Sequence, residues 1–187
     1  MPPAEIPSDI KNFKYPLIGY CGSLTATRLD IGLIEFIARQ KPEWNIVLVG
    51  PQDEVFKISQ LHQLDNVYFL GSKQPGELPS YTHAFDVCIN PQLVNPMTIG
   101  NYPRKVDEYL AAGKPVVATK TEAMDMFAQQ VYLCNNKEEY IVKIEEALVE
   151  SKKEEKVEGR KSMAKSHTWQ ASVSELYKLI YKLKKNG

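Results

Sequence analysis

No single sign of charge dominates this chain: Lys and Arg number 23, and so do Asp and Glu. Without a global positive field, nucleic acid is not an expected partner. Cysteine is scarce. Cys21, Cys88 and Cys134 each sit alone inside an apolar run, "IGYCG", "FDVCIN" and "VYLCN". No Cys-x-x-Cys pair or His/Cys cluster is present, which argues against a metal site; buried, reduced thiols suited to a reducing cytoplasm are expected instead. No apolar stretch approaches the ~20 residues a membrane-spanning helix needs. The opening "MPPAEIPSDIKNFKYP" is polar and proline-rich, unlike a signal peptide, so residues 1–14 read as a linker and 15–187 as the folded unit.

What is present is a regular alternation. The chain has 187 residues, 43% of them apolar and 25% charged, enough for one α/β domain with a sizeable core. Short continuous apolar runs predict strands at 15–21, 45–51, 66–71, 85–91, 114–120 and 131–135. Between them lie helical rhythms. Ile31, Ile34, Ile37 and Ala38 share a face behind Asp30 as N-cap, and residues 54–63 repeat through Val55, Ile58 and Leu61. A short helix fits 76–84, and 137–150 sets Tyr140, Ile144 and Leu148 in register. "PRKVDEYLAAG" (103–113) has Pro at its start and Gly past its end, the usual punctuation of a helix. The remainder is helical in two pieces broken near His167. Strands apolar on both faces, separated by helices, predict a doubly wound, mostly parallel Rossmann-like sheet.

In such a sheet, ligands bind beyond the carboxyl ends of the strands. The loops after Cys21, Leu70 and Asn90 are therefore the places to look. Gly22-Ser23 lets backbone N–H groups approach an anion closely. The loop 92–102 carries Asn95, Thr98 and Asn101 and runs into a helix whose first turn holds Arg104 and Lys105. Free N–H groups and added cations at a helix N-terminus suit a diphosphate. Glu108, one turn on, can accept two hydrogen bonds from the hydroxyls of a ribose. His62, His83 and His167 do not cluster and read as structural.

The stretch "NYPRKVDEYLAAGKPVVAT" (101–119) resembles the signature of the C-terminal domain of GT-B glycosyltransferases, close to the large retaining group called family four. "IGYCGSL", "VLVGP", "NVYFLGSKQPGELPSY" and "FDVCINP" resemble that domain's other landmarks in the expected order, and "HTWQASVSELYKLI" its closing helix. The resemblance implies the donor-binding half of an enzyme that moves a sugar from a UDP- or GDP-linked donor to an acceptor hydroxyl, with retention. It implies Glu108 on the ribose hydroxyls and Lys105 on the phosphates, the two residues expected to serve catalysis. Gly22 and Ser23 would face the diphosphate and sugar, Asn95 and Thr98 the distal phosphate and sugar, and Ser72 and Lys73 the base through main-chain groups. No metal or other cofactor is implied. The acceptor, a polysaccharide or lipid-linked glycan, would bind a separate N-terminal domain, leaving this piece inactive alone.

The sequence also departs from that family. Its motif is Glu, seven residues, Glu, but the first position here is Gly100, and the usual Gly-Phe-Gly is Asn101-Tyr102-Pro103. Arg28 can serve as one member of the family's basic pair, while Asp30 stands in the region where Lys-Gly is common. The change at Gly100 keeps open a non-catalytic nucleotide-sugar-binding module of the same fold. A nicotinamide-dependent Rossmann enzyme would need a Gly-x-Gly-x-x-Gly turn and an acid ending the second strand; "GYCGSL" and "VLVGP" supply neither. The basic end "YKLIYKLKKNG" offers contact with anionic lipid at the inner membrane, a solvated terminal helix being the default.

Overall fold

A computed structural model of the chain describes residues 5–167. Six parallel strands form one sheet in the order β3-β2-β1-β4-β5-β6. They are β1 Leu17–Cys21, β2 Asn45–Val49, β3 Val67–Phe69, β4 Val87–Asn90, β5 Val116–Thr119 and β6 Val131–Cys134. The helices are α1 Ile31–Gln40, α2 Glu54–Lys57, α3 Leu78–Ala84, α4 Arg104–Ala111, α5 Lys137–Glu150 and α6 Glu154–Ser166. The predicted doubly wound α/β class is the observed one.

Side chains alternate across the sheet, which explains why the strands read as unbroken apolar runs. Ile18, Tyr20, Ile46, Leu48, Val87, Ile89 and Val117 face one core with Ile34 and Ile37 of α1 and Tyr140, Ile144 and Ala147 of α5. Leu17, Cys21, Val47, Val49, Cys88 and Val116 face the other, with Tyr81 of α3, Val106, Tyr109 and Leu110 of α4 and Ala164 of α6. All three cysteines are buried and unpaired. The caps form as expected: Asp30 accepts from the Leu33 N–H, and Asn136 from Glu139 N–H. Arg160 of α6 is fully buried and donates to the Gly113 carbonyl just past α4.

The structure departs from the expectation in three places. The 54–63 segment is not one helix: α2 gives way to a 3-10 turn at Gln60–Gln63, burying Phe56 and Leu61 while Ile58 stays 81% exposed. Asp53 caps the short helix by accepting from Phe56 N–H, and the Ser59 hydroxyl takes the Phe56 carbonyl, which ends the turn. A 3-10 helix at Glu122–Phe127 buries Met124 and Phe127 after β5, where no element was expected. In the segment read as linker, Ile10 is 2% exposed, Phe13 packs on Tyr68 at 4.2 Å, and Asp9 meets Lys73 at 2.7 Å. The Trp-led closing helix and the basic end lie outside the described residues. Among those described, no helix is long and apolar enough to cross a membrane.

Candidate functional site

The strand order reverses direction between β1 and β4, so their carboxyl ends part and leave a crevice. The loop leaving β1 borders it. Gly22 adopts φ +146°, which side-chain-bearing residues take up only under strain, while its N–H donates to the Val49 carbonyl at 2.8 Å. Leu24, fully buried, anchors the loop from below. Gly50 lies so near that a Cβ there would overlap the Gly22 carbonyl, and Gly50 N–H donates to Gly71 at 2.9 Å. The loops after β1, β2 and β3 thus run side by side along one edge.

Across the crevice stands the first turn of α4. Lys105 reaches back until its Nζ rests against Gly22 and over the Tyr20 ring, 5.1 Å from the centroid. A Cβ at Gly22 would run into that Nζ and stand 2.8 Å from Cε. Burial pushes the ammonium's pKa below the usual lysine value, with the Glu108 charge pulling the other way. Among the described residues no carboxylate forms an ion pair with Lys105. What locks α4 to β1 is Tyr109. Its buried hydroxyl accepts from Cys21 N–H at 2.8 Å and donates to the Cys21 carbonyl at 3.3 Å.

Between them opens a cavity of about 360 Å³. Arg28, Arg104 and Lys105 all line it, and among the described residues no carboxylate does. Ser23, Tyr20 and Asn90 complete the strand side, and Thr98, Asn101 and Tyr102 the loop side. The chemistry on offer is that of an anion site: three cations gathered at a helix start and beside a glycine turn.

The expected residues are not all gathered there. Gly22, Ser23, Arg28, Thr98 and Lys105 converge. Thr98 is 1% exposed, and its hydroxyl accepts from Asn95 N–H at 3.0 Å and donates to the Leu93 carbonyl, so it shapes the loop. Asn95 also folds the loop: its Oδ1 accepts from Met97 and Thr98 N–H, and its Nδ2 donates to the Thr27 carbonyl at 2.9 Å. Glu108 is exposed on the next turn of α4, in a separate recess of about 420 Å³ against Lys161 and His167 of the α6 region. Ser72 and Lys73 lie two strands along the same edge, with the Lys73 amine committed to Asp9, whose carboxylate also accepts from the Tyr81 hydroxyl.

Sequence reasoning missed Asn90, Tyr20 and Tyr109. Asn90 carried a signal, a polar residue closing an apolar strand; the two tyrosines read as ordinary core. A further clamp joins the cavity to α6: the Tyr102 hydroxyl donates to Asp107, whose other oxygen meets His167 Nδ1 at 2.9 Å. No group of three or more metal-ligating side chains occurs among the described residues.

Comparison with known proteins places this geometry in context. The family described as "Glycosyl transferases group 1" matches residues 15–150. A protein of Bacillus subtilis (strain 168), named provisionally as the teichuronic acid biosynthesis glycosyltransferase TuaH, is 30% identical over 169 residues, covering 87% of this chain and 42% of its own. Among solved structures, Anabaena Alr3699/HepE in complex with UDP superposes with a TM-score of 0.68 at 20% identity, covering 91% of this chain and 49% of that one. Sucrose-phosphate synthase from Thermosynechococcus elongatus gives 0.66 at 19% identity, covering 92% and 46%. The chain therefore spans less than half the length of each of these relatives.

Proposed function

Since the chain belongs to the glycosyl transferases group 1 family, we propose that it is the donor-binding half of a two-domain glycosyltransferase, holding a nucleoside diphosphate sugar, UDP- or GDP-linked, at the β1/β4 crevice. One observation carries the reading: the half-buried Lys105 ammonium, pressed against Gly22 beside Arg28 and Arg104, in a cavity to which no carboxylate among the described residues contributes. A cation desolvated without a counter-ion is a standing cost, and a diphosphate supplies the missing charge.

On this reading the chemistry asked of the domain is electrostatic. As the bond from sugar to diphosphate breaks, negative charge grows on the departing phosphate oxygens. Lys105 and the start of α4 would stand beside that charge, with the Gly22-Ser23 turn next to them, so little reorganisation is needed. Glu108, one turn along and near enough for its charge to act on Lys105, would accept from the ribose hydroxyls. Retention at the anomeric carbon, and an acceptor hydroxyl presented by a separate N-terminal domain, follow from the family likeness. The HepE complex with UDP and the relative's place in teichuronic acid biosynthesis agree with a UDP-linked donor and a polysaccharide acceptor. The work would be done in the cytoplasm, where nucleotide sugars are the donors.

The test is isothermal titration of the folded chain with UDP, GDP and ADP. One of them should bind, and Lys105→Met should weaken it by about 1.5–3 kcal/mol, the worth of a hydrogen bond to a charged group. Glu108→Ala should weaken it by about 1–3 kcal/mol. Absence of binding by every nucleotide would refute the reading. Gly100, where the family carries a sugar-contacting glutamate, supports a second one, a nucleotide-sugar-binding module without catalysis; it predicts binding by the full-length protein without turnover.

A further inference from the structure

Asn90 ends β4 at the point where the strand order reverses. Its main chain is held from two sides: the carbonyl accepts from the Tyr140 hydroxyl at 3.0 Å and from Gln92 N–H at 2.8 Å. The side chain is only 5% exposed and lines the cationic cavity, yet its Nδ2 has no hydrogen-bond partner among the described residues. Its strand neighbours are apolar: Ile89 precedes it, and Ala118 stands opposite on β5. A leucine would satisfy packing here, and a buried donor left unpaired costs free energy that packing does not return.

We infer that Asn90 is a phosphate-binding residue of the donor site: a turn of its amide brings an N–H to a phosphate oxygen of the bound nucleotide. The inference rests on the donor-site reading above. The partner must be an acceptor, because the atom waiting is an amide nitrogen. It must be one that tolerates Arg28, Arg104 and Lys105 around the same cavity, which an anionic, acceptor-only oxygen does best. The fixed main chain keeps the side chain at the cavity wall, so the amide has only to turn about its last torsion to present that N–H.

The experiment compares wild type, Asn90→Leu and Asn90→Asp by thermal melting and by titration with UDP and GDP. Asn90→Leu removes the unpaired donor at similar volume, so its melting temperature should equal or exceed that of wild type, while affinity for the bound nucleotide falls tenfold or more. Asn90→Asp places a carboxylate beside the phosphate and should bind more weakly than Asn90→Leu. A purely structural asparagine predicts the reverse pattern, with lowered melting temperature and unchanged affinity in the folded protein; that result, or equal affinity in either variant, overturns the inference alone. Wild type binding neither UDP nor GDP overturns the donor-site reading with it.

Discussion

Replacing Gly22 by alanine tests the contact on which the site is built. Two effects separate cleanly. The first is backbone strain: φ of +146° suits glycine, and holding an L-residue there costs about 1–3 kcal/mol, offset by about 0.4–1 kcal/mol from the less flexible unfolded chain. The net loss should be roughly 1–2 kcal/mol, or about 2–8 °C in melting temperature for a domain of this size. The second effect falls on Lys105. The new methyl group would run into Nζ, but Nζ is the free end of a flexible side chain, so it swings aside at little cost to stability. The cost appears in binding, where a displaced ammonium forfeits about 1.5–3 kcal/mol, roughly tenfold to a hundredfold in Kd. Denaturant melts and nucleotide titrations on Gly22→Ala, Lys105→Ala and the double variant give a complete cycle. In the Lys105→Ala background the glycine change should still lower stability yet cost almost no further affinity. Full, additive affinity losses in the double variant would refute the claim that Gly22 acts through Lys105.

Lys105 should also give nucleotide binding an alkaline limit. Burial lowers its folded pKa, so the ammonium is lost, and affinity with it, as pH rises through a value below the ordinary lysine 10.5; titration of Lys105→Met against pH should lack that limb. The same shift means that the unfolded chain binds more protons in the window between the lowered value and 10.5, so this group's contribution to stability rises with pH there. Tyr109→Phe leaves the buried Cys21 N–H unpaired and frees α4 from β1. Denaturant melts should register about 1–3 kcal/mol, and affinity should fall too because Lys105 rides on that helix. The three thiols should resist alkylation in the native state and react on unfolding, since burial pushes Cys21 up to about 11, Cys134 to about 12 and Cys88 well above its ordinary value; mass spectrometry after a timed alkylation reads this directly.

Much of the architecture was written locally. A strand buried on both faces must be apolar at every position, so β1, β2 and β4 were legible as strands of a covered parallel sheet. Pro103 and Gly113 bracketed α4, and Gly22 marked the turn that faces it. Where local signals compete, legibility failed. Val55, Ile58 and Leu61 keep a helical rhythm, yet Asp53 and Ser59 capture the backbone and bury Phe56 instead. The proline-rich opening looked like linker, although Ile10 fills the core beneath α3 and α4.

The sequence by itself determined the fold class, the strand ends at which a ligand could sit, and the cations at the start of α4, because period, caps and glycine turns act over a few residues. Only the tertiary structure decided which of those groups meet. Lys105 touches Gly22 and Tyr20, Arg28 and Arg104 share a cavity, Asn95 turns inward to build its loop, Glu108 faces α6, and Asn90 is left with an unused donor. These residues come from loops after different strands. Their convergence depends on the strand order and on the Tyr109 tie between α4 and β1, and neither has a signature in the spacing along the chain.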